Sequence, residues 1–395
     1  MTRGTHCLVC GSAPNSPIID LPPVPTDTNR MYSSRESAKT APKAPISLAQ
    51  CRNCDHVFNR RYNNDLVNYE EGYENSQMFS PLFRKYCEDL SDQLITKHGL
   101  RHKHIVEIGG GRGDFLRIIC ERGENLGVSF DPSYRPKPGD DIPRNLHFTT
   151  DYYAAKYARE PADLIVCRHV LEHLCNPRDL ITTVRKAVGD RHSLIVYFEV
   201  PNGDYILREQ ALWELHYQHC SYFTKASIIR LFAECGFRML EVQEHFGGQF
   251  LAIQACASTD LVNLRALPRS CPSKSATAEL SEVFGTAFRG CLQSWLDRLD
   301  HLRAERKRVV AWGAGAKGVT FLNLVNPSGD VISHVVDLNP RKAGRFVPGS
   351  AQEIIPPEAL RELCPEVVIL MNGIYRQELG SVLAVLGLNP TLLVA

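Results

Sequence analysis

The stretch Ile105-Val-Glu-Ile-Gly-Gly-Gly-Arg-Gly-Asp-Phe-Leu-Arg117 decides the fold of the central part of the chain. Its first four residues are typical of a buried strand, a glycine-rich turn follows, and the residues after Gly113 have a helical pattern. Glycines at a strand-to-helix turn let the backbone approach a ligand closely. The stretch therefore predicts the first strand, loop and helix of an α/β nucleotide-binding domain.

Apolar segments at 126–130, 164–167 and 194–198 alternate with helical patterns, as in a parallel, doubly wound sheet. A loose stretch rich in Ser and Pro lies around 258–277 and precedes a long amphipathic helix. A second strand, glycine turn and helix begin at 308–312. The pattern of the first α/β domain thus occurs twice.

Two Cys-x-x-Cys pairs lie near the N-terminus, Cys7 with Cys10 and Cys51 with Cys54. Four thiolates at this spacing complete a tetrahedral zinc site and leave no open coordination position, so we expect a structural ion. Residues 1–62 show little hydrophobic periodicity, and zinc is therefore expected to supply their folding energy. Four free thiols are the alternative.

The chain is predicted to contain a zinc-binding ribbon over 1–62, an α/β domain over 63–262, and a linker helix with a second, Rossmann-like domain over 263–395. Its formal charge of +1 creates no field that would attract a polyanion, so no nucleic-acid partner is expected. No apolar run reaches the length of a membrane span and no secretory leader opens the sequence, so we expect a cytoplasmic protein without a membrane partner.

Two carboxylates indicate the ligand of the first glycine loop. Glu107 stands two residues before Gly109 and suits the cationic amino-acid end of S-adenosyl-L-methionine (SAM), while Asp131 follows the second strand and can accept hydrogen bonds from a ribose. Together they favour SAM over NAD. A glycine turn that only packs the helix on the strand is the alternative. The predicted cofactor residues are Glu107, Gly109, Gly111, Gly113, Asp131, Asp151 and His169.

The other residues near these strand ends are interpreted more narrowly. Asp151 follows the third strand, where a helix N-cap is the alternative role. His169 lies at the end of the fourth strand and is expected to border the SAM site. Glu172 and His173 are expected to face solvent or a neighbouring loop.

Residues 213–223 form a dense cluster of polar and aromatic side chains that no amphipathic helix explains. In order along nearly the whole chain, the zinc knuckles, Tyr69, Tyr73 to Asn75, Ser80, the glycine loop, this cluster, 246–249 and the second glycine loop resemble the sugar C-methyltransferase family. Members of that family bind zinc and use SAM to methylate keto-deoxysugar nucleotides. The resemblance implies a zinc ribbon, a class I SAM methyltransferase domain and a C-terminal Rossmann-like domain.

In that family a Glu-His pair lies at the substrate, and its histidine is thought to remove the proton next to the ketone. His219 falls on this histidine, and an imidazole that titrates near neutrality suits the task. Gln218 stands where the family has Glu, so the carboxylate charge is missing. Tyr73, Tyr217 and Tyr222 are candidates to donate to an enolate oxygen. A buried core role is the alternative for each of these side chains.

The second glycine loop, Gly313-x-Gly315-x-x-Gly318, is followed about twenty residues later by Asp337, which by itself predicts a dinucleotide site such as NAD. The family resemblance implies instead that this domain binds the nucleotide diphosphate of the substrate, with Lys317 as a cation. The predicted substrate-binding residues are Gly313, Gly315, Lys317, Gly318, Asn372 and Tyr375.

The sequence thus predicts a SAM-dependent C-methyltransferase that acts next to a ketone in a nucleotide-linked sugar, with SAM and structural Zn²⁺ as cofactors. One alternative is O- or N-methylation of another small metabolite. The other is a ligand-binding module of zinc ribbon and Rossmann-like domains without catalysis.

Overall fold

The computed structural model describes residues 6–13, 15–67, 73–136, 142–258 and 275–395. Tyr69 and the expected domain boundary at 262/263 lie outside the described residues. Within the described ranges the strands form three sheets, one antiparallel and two mainly parallel. None of the helices in this part of the chain combines the length and the hydropathy that a membrane span requires.

The antiparallel N-terminal sheet has the order β1-β2-β3-β9. Its strands and the short helix between the first two are β1 Asn15–Pro25, α1 Arg35–Lys39, β2 Lys43–Cys51, β3 Val57–Asn59 and β9 Ser221–Tyr222. The last strand belongs to the polar and aromatic segment 213–223. Residues far apart in the sequence therefore share one sheet.

The N-terminal segment packs into a hydrophobic core that it shares with later parts of the chain, contrary to the expectation that zinc alone would support it. Leu21, Ile46 and Leu48 are buried and join Phe284 and Phe321 in one cluster. The register of β1 against β2 shifts twice within its Pro-rich sequence. These irregularities interrupt the period of two that marks a half-buried strand. The sequence pattern therefore did not predict strand β1.

The central sheet has seven strands in the order β10-β11-β8-β7-β4-β5-β6. The strands are β4 His104–Ile108, β5 Leu126–Phe130, β6 Leu146–Thr149, β7 Leu164–Arg168, β8 Ile195–Pro201, β10 Phe237–His245 and β11 Phe250–Ala257. The helices are α2 Pro81–His98, α3 Asp114–Gly123, α4 Pro177–Val188, α5 Gly203–Arg208 and α6 Lys225–Glu234. Only β11 runs against its neighbours. A reversed strand beside the edge distinguishes a class I SAM methyltransferase sheet from a dinucleotide-binding sheet, so this part of the predicted fold is confirmed.

The C-terminal sheet is parallel and has the order β14-β13-β12-β15-β16. Its elements are α7 Ala276–Ala304, β12 Val309–Trp312, α8 Ala316–Val325, β13 Ile332–Val336, β14 Glu353–Ile355, α9 Leu360–Leu363, β15 Val367–Leu370, α10 Arg376–Leu386 and β16 Thr391–Val394. This strand order is that of a Rossmann-like unit. The sequence predicted the long helix and, within one residue, the start of β12, but it gave no strand for β14 or β16.

The linker helix, the C-terminal unit and segment 213–223 pack together through aromatic contacts. The ring of Phe321 on α8 makes edge contacts with Trp213 at 4.8 Å and with Trp295 of α7 at 5.0 Å. All three side chains are buried. This cluster holds the C-terminal sheet in place relative to the central sheet, and the carboxyl ends of their parallel strands meet at one cleft.

Replacing Phe321 with Ala should lower the free energy of unfolding by about 3–5 kcal/mol, because the change removes the central ring of this cluster. Urea unfolding measures the loss. The control is Val385→Ala on α10, where the side chain is 79% exposed and a change within about 0.5 kcal/mol is expected. Equal losses for the two variants would show that the cluster does not hold the units together.

Candidate active site

One cavity of about 390 Å³ lies between the carboxyl ends of the two parallel sheets. Both glycine loops and the segment that precedes α2 line it. The predicted residues that line it are Tyr73, Glu107, Gly109, His169, Gln218, His219, Gly313, Gly315, Lys317, Gly318, Asn372 and Tyr375. Gly111, Gly113, Asp131, Asp151, Tyr217, Tyr222 and the four cysteines are not among its lining residues.

Glu107 ends the buried strand β4, with only 4% of its surface exposed. Its Oε2 has no hydrogen-bond partner among the described residues. Burial raises the pKa of this carboxyl to about 8. An unpaired buried acceptor beside a glycine loop suits a cationic amino group, which would restore the charge of the carboxylate.

The glycine loop passes too close to its neighbours for other residues at Gly109. Its φ is +74°, and a Cβ there would lie 2.1 Å from Cγ2 of Val170. A side chain at this position would therefore be strained and would displace the loop. Gly111 also has a positive φ, of +56°, but a Cβ there would meet open space.

Asp131 fixes the shape of this loop. Its Oδ2 accepts a hydrogen bond from the amide of Gly111 at 2.7 Å, and its Oδ1 accepts from the amide of Ser133 at 2.7 Å. Oδ1 also accepts from the Ser133 hydroxyl at 2.5 Å, so the acceptor position left for a ligand is on Oδ2. Asp151 accepts from the Tyr157 hydroxyl at 2.7 Å and from the amide of Tyr152 at 2.8 Å, so its contacts stay within its own loop.

A buried ion pair that the sequence analysis missed joins the ends of β7 and β8. Arg168 donates to Oε1 of Glu199 from Nε at 2.9 Å and from an Nη at 2.7 Å. The ring Nε2 of His169 lies 3.1 Å from the same oxygen. Burial alone would raise the pKa of Glu199, but the Arg168 charge together with the contacts of His169 and Tyr86 outweighs burial and holds the pKa well below its usual range. The sequence did contain a signal for this pair, because Arg168 and Glu199 directly follow the apolar segments 164–167 and 194–198. The structure pairs these two residues across the parallel strands.

Gln218 and His219 point unpaired polar atoms into the site. Oε1 of Gln218 accepts from the amide and the hydroxyl of Thr28, at 3.0 and 2.8 Å, which fixes the orientation of the side-chain amide. Nε2 of Gln218 and Nδ1 of His219 are buried and have no partner within the described chain. No sequence signal links Thr28 to Gln218, because 190 residues separate them.

The imidazole of His219 lies against two further histidines. Its ring centre is 4.9 Å from that of His173 and 5.1 Å from that of His216. Burial first, and then these neighbouring rings, lower the pKa of His219 well below its usual value. His219 is therefore a neutral imidazole at physiological pH, which is the form that can accept a proton.

Tyr217 and Tyr222 do not have the predicted position at the substrate. The Tyr222 hydroxyl donates to the carbonyl of His216 at 3.0 Å and accepts from its amide at 3.1 Å. The Tyr217 hydroxyl accepts from the amide of Asn63 at 3.0 Å and donates to the carbonyl of Arg61 at 3.3 Å. Both rings are buried, and both hydroxyls satisfy backbone groups instead of facing the cavity.

The expectation that Glu172 and His173 face solvent or a loop is wrong. Both line the cavity, and Glu172 is only 1% exposed. A short 3-10 helix over Leu171–His173 turns them inward, and the amide of Cys220 donates to the Glu172 carbonyl at 3.0 Å. Burial raises the pKa of the Glu172 carboxyl to about 8.

On the C-terminal side, Lys317 and Gln249 connect the two halves of the cavity. Lys317 Nζ lies 2.5 Å from Oε1 of Glu214 and donates to Oε1 of Gln249 at 2.8 Å. Gln249 exchanges two hydrogen bonds with the side chain of Asn372, at 2.9 and 3.2 Å. In the sequence Gln249 counted only as part of the stretch 246–249 that resembles the sugar C-methyltransferase family, and its bridging role needed the tertiary structure.

The second glycine loop is as tightly packed as the first. A Cβ at Gly318 would lie 2.1 Å from the carbonyl oxygen of Gly313. Asp337 accepts from the amide of Ala314 at 2.8 Å, and the Tyr375 hydroxyl donates to Gln77 at 3.3 Å across the cavity mouth. The loop and Lys317 give this end of the cavity backbone amides and a cation, whereas Lys342 Nζ donates to the Ala314 carbonyl at 3.0 Å and pairs with Asp337 at 3.4 Å.

The four N-terminal thiols lie together at the end of strand β2, whose last residue is Cys51. Their Sγ atoms are within 4.8 Å of one another, with Cys7 to Cys54 and Cys10 to Cys51 both at 3.5 Å. The amides of Val9 and Asn53 point at sulfur atoms of the two knuckles, each at 3.4 Å. Sulfur atoms bound tetrahedrally to one zinc ion would lie about 3.8 Å apart. The donor set therefore fits zinc.

Comparisons with known proteins agree with this geometry. The family described as "Methyltransferase domain" matches residues 76–242, and the family described as "C-methyltransferase C-terminal domain" matches residues 272–386. The chain is 23% identical over 401 residues to the C-methyltransferase NovU of Streptomyces niveus, which covers 95% of this chain and 91% of that protein.

Solved structures show weaker similarity. Magnesium protoporphyrin IX methyltransferase of Synechocystis PCC 6803 is 15% identical, with 45% of this chain and 84% of that chain covered and a TM-score of 0.34. The 1,6-didemethyltoxoflavin-N1-methyltransferase of Burkholderia thailandensis is 13% identical, with 45% and 81% covered and a TM-score of 0.34. These TM-scores are low, and the fold rests on the strand order given above.

The strand order, the glycine loop beside Glu107 and the two family matches define the class of the protein: it is a SAM-dependent methyltransferase. Its similarity to NovU extends over nearly the whole chain and so includes the N-terminal sheet and the C-terminal unit. A small molecule is the kind of substrate that this cavity accommodates.

Gly109→Ala should weaken binding of S-adenosylhomocysteine at least about tenfold, because the added methyl group would collide with Val170 and strain the loop. Calorimetric titration measures the affinity. Gly111→Ala is the matched control, since it introduces the same methyl group at a positive φ without a collision. If both variants lost affinity equally, the loss would come from backbone strain at a positive φ and not from the collision with Val170.

Proposed function

We propose that this methyltransferase acts on carbon, at the position next to a ketone in a nucleotide-linked sugar, and that His219 is the general base. One observation carries the proposal. A neutral histidine lines the same cavity as two separate glycine loops, one beside Glu107 and one beside Lys317. Such a cavity suits a reaction between two nucleotide-containing ligands.

The first loop suits SAM. Glu107 would pair with the amino group of the methionine end of SAM. Because Gly109 has no side chain, the loop backbone can lie close to that end of the ligand. Oδ2 of Asp131 has one acceptor position left for a ribose hydroxyl. When bound, SAM supplies the methyl group through its electrophilic sulfonium.

The second loop suits a nucleotide diphosphate. The N-terminus of α8 directs backbone amides toward the cavity, and Lys317 lines the cavity as a cation. Lys317 also contacts Glu214 of segment 213–223. The cation that would hold the diphosphate is thereby connected to the segment that carries His219, which favours a substrate that spans both.

A carbon next to a ketone becomes a nucleophile only after it loses a proton. Nδ1 of His219 is buried and unpaired in the described structure, so it is available to accept that proton. Nε2 of Gln218, fixed by Thr28, can donate a hydrogen bond to a substrate oxygen. Methylation at carbon is supported by the similarity to the C-methyltransferase NovU and by the match to the C-methyltransferase C-terminal domain family.

We also propose that the four cysteines bind one structural zinc ion and that the chain divides into units near residues 62 and 262. The thiols are followed in the sequence by β3, which pairs with β9. Zinc would therefore stabilise the strand on which segment 213–223 ends, at a distance from the chemistry.

The test of the proposed function is to incubate the protein with SAM and a panel of dTDP- and UDP-linked 4-keto-6-deoxyhexoses. We expect a product that is heavier by one methylene unit and carries a new C–CH₃ signal in carbon NMR. A methyl group on oxygen or nitrogen would replace this proposal with O- or N-methylation. Binding of NAD in place of both ligands would exclude methyl transfer at this cavity.

His219→Ala should lower turnover by about 10²–10⁴-fold while leaving the affinity for S-adenosylhomocysteine within about twofold, because only the base is lost. His301→Ala is the control, at an exposed position on α7. In the parent enzyme, the lowered pKa of His219 keeps the base form present until the pH falls well below 6.5. The acid limb of the rate profile should therefore lie below that value. Unchanged turnover in His219→Ala would refute the base assignment.

Cys51→Ser should release the zinc and lower the thermal stability, because one of four ligands is removed. Metal analysis by mass spectrometry and thermal unfolding measure both effects. Cys364→Ser is the control, since this exposed thiol lies outside the cluster. A zinc-free parent protein after refolding with zinc would contradict the proposed metal site.

A further inference from the structure

We propose that Glu172 is a catalytic acid of this reaction, donating a hydrogen bond from its carboxylic acid to the substrate ketone oxygen while His219 removes the neighbouring C–H proton. The inference rests on the proposed function and deepens it. It assigns a role to a side chain that the sequence analysis expected to face away from the site.

The position of Glu172 supports this role. Its side chain is 1% exposed, it lines the cavity, and its Oε2 has no hydrogen-bond partner in the described residues. A carboxylate oxygen of Glu172 and ring nitrogens of His173 and His219 all lie within 4.8 Å of one another. The proposed acid and the proposed base are thus near enough to act on adjacent atoms of one molecule.

Three unpaired polar atoms belong to residues that line this cavity. Besides Oε2 of Glu172, Nδ1 of His219 and Nε2 of Gln218 are buried and have no partner in the part of the chain that the structure describes. Leaving such groups unpaired is costly unless a ligand satisfies them. A ketone oxygen would accept hydrogen bonds from the Glu172 acid and the Gln218 amide. The neighbouring C–H group would supply the proton that His219 accepts.

The surroundings of Glu172 favour its neutral form. The titratable groups that face it are His169, His173, His219, Tyr73, Cys167 and Glu199. The nearby cation, Arg168, is already paired with Glu199. Burial, with Glu199 adding to it, raises the pKa of Glu172 to about 8, so below that pH the carboxyl retains its proton. A buried carboxylic acid that donates to a developing enolate is an established catalytic arrangement.

The proposed step balances. His219 takes the proton from the carbon next to the ketone, and the electron pair of that C–H bond forms the double bond of an enolate. The enolate oxygen accepts hydrogen bonds from Glu172 and Gln218. The enolate carbon then forms its bond to the methyl group as the S–CH₃ bond breaks. The ketone re-forms, Glu172 keeps its proton, and His219 releases one proton to solvent. The products are the methylated ketone and S-adenosylhomocysteine.

The experiment measures hydrogen–deuterium exchange next to the ketone of dTDP-4-keto-6-deoxyglucose in D₂O, with S-adenosylhomocysteine bound and across a range of pH. In the parent enzyme we expect exchange that declines as the pH rises through about 8, where Glu172 loses its proton. Glu172→Gln should exchange at least about 100-fold more slowly. Its residual rate should lack the alkaline decline, because an amide does not titrate.

The controls separate this role from a structural one. Glu121→Gln, at an exposed position on α3, should match the parent enzyme. Affinity for S-adenosylhomocysteine and thermal unfolding should be unchanged in Glu172→Gln, which shows that it folds. Independently of any sugar, the infrared difference spectrum between the parent and Glu172→Gln at pH 7 should contain the C=O band of a protonated carboxyl group.

Each other outcome contradicts the inference in a recognisable way. Parent-like exchange in Glu172→Gln, or a slow rate that keeps its alkaline decline, would overturn the acid role and leave the proposed function standing. A missing carboxylic-acid band would do the same. If the parent enzyme exchanged no keto-sugar nucleotide and methylated none, the proposed function would fail and the acid role with it.

Discussion

The pairing of β3 with β9 is the interaction on which the rest of the site depends. It joins Val57 to Tyr222 and Phe58 to Ser221, immediately after the second cysteine pair and immediately before the helix α6. Segment 213–223 therefore ends on the N-terminal sheet and packs at its other end, through Trp213, against α8. Because both ends are held, the short stretch that contains Gln218 and His219 has a defined path along the cavity wall.

Electrostatics within the cavity follow from burial and from one ion pair. Arg168 keeps Glu199 ionised, whereas Glu107 and Glu172, which have no such partner, are pushed toward their neutral forms. Burial also lowers the pKa of His173 and of His219, which stay uncharged. A site that contains both an ionised carboxylate and neutral carboxyl groups can separate the roles of orienting, donating and accepting.

Much of the architecture was predictable from local patterns. The apolar run before Gly109 and the one before Gly313 each predicted a strand, a loop and a helix. Both strand-loop-helix units are present in the structure. The cysteine pairs likewise come together as their spacing indicated. The strand β1 was not predictable, because its prolines and register shifts remove the alternation on which strand prediction depends.

The sequence by itself determined the two glycine loops, the carboxylates that follow nearby strands and the class of cofactor, since a strand-to-helix turn is a local structure encoded in consecutive residues. Only the tertiary structure decided which polar side chains face the cavity. It turned Glu172 inward, satisfied the hydroxyls of Tyr217 and Tyr222 on backbone groups, and fixed Gln218 through Thr28. These outcomes depend on burial and on partners far away along the chain, and neither is recorded in the spacing of neighbouring residues.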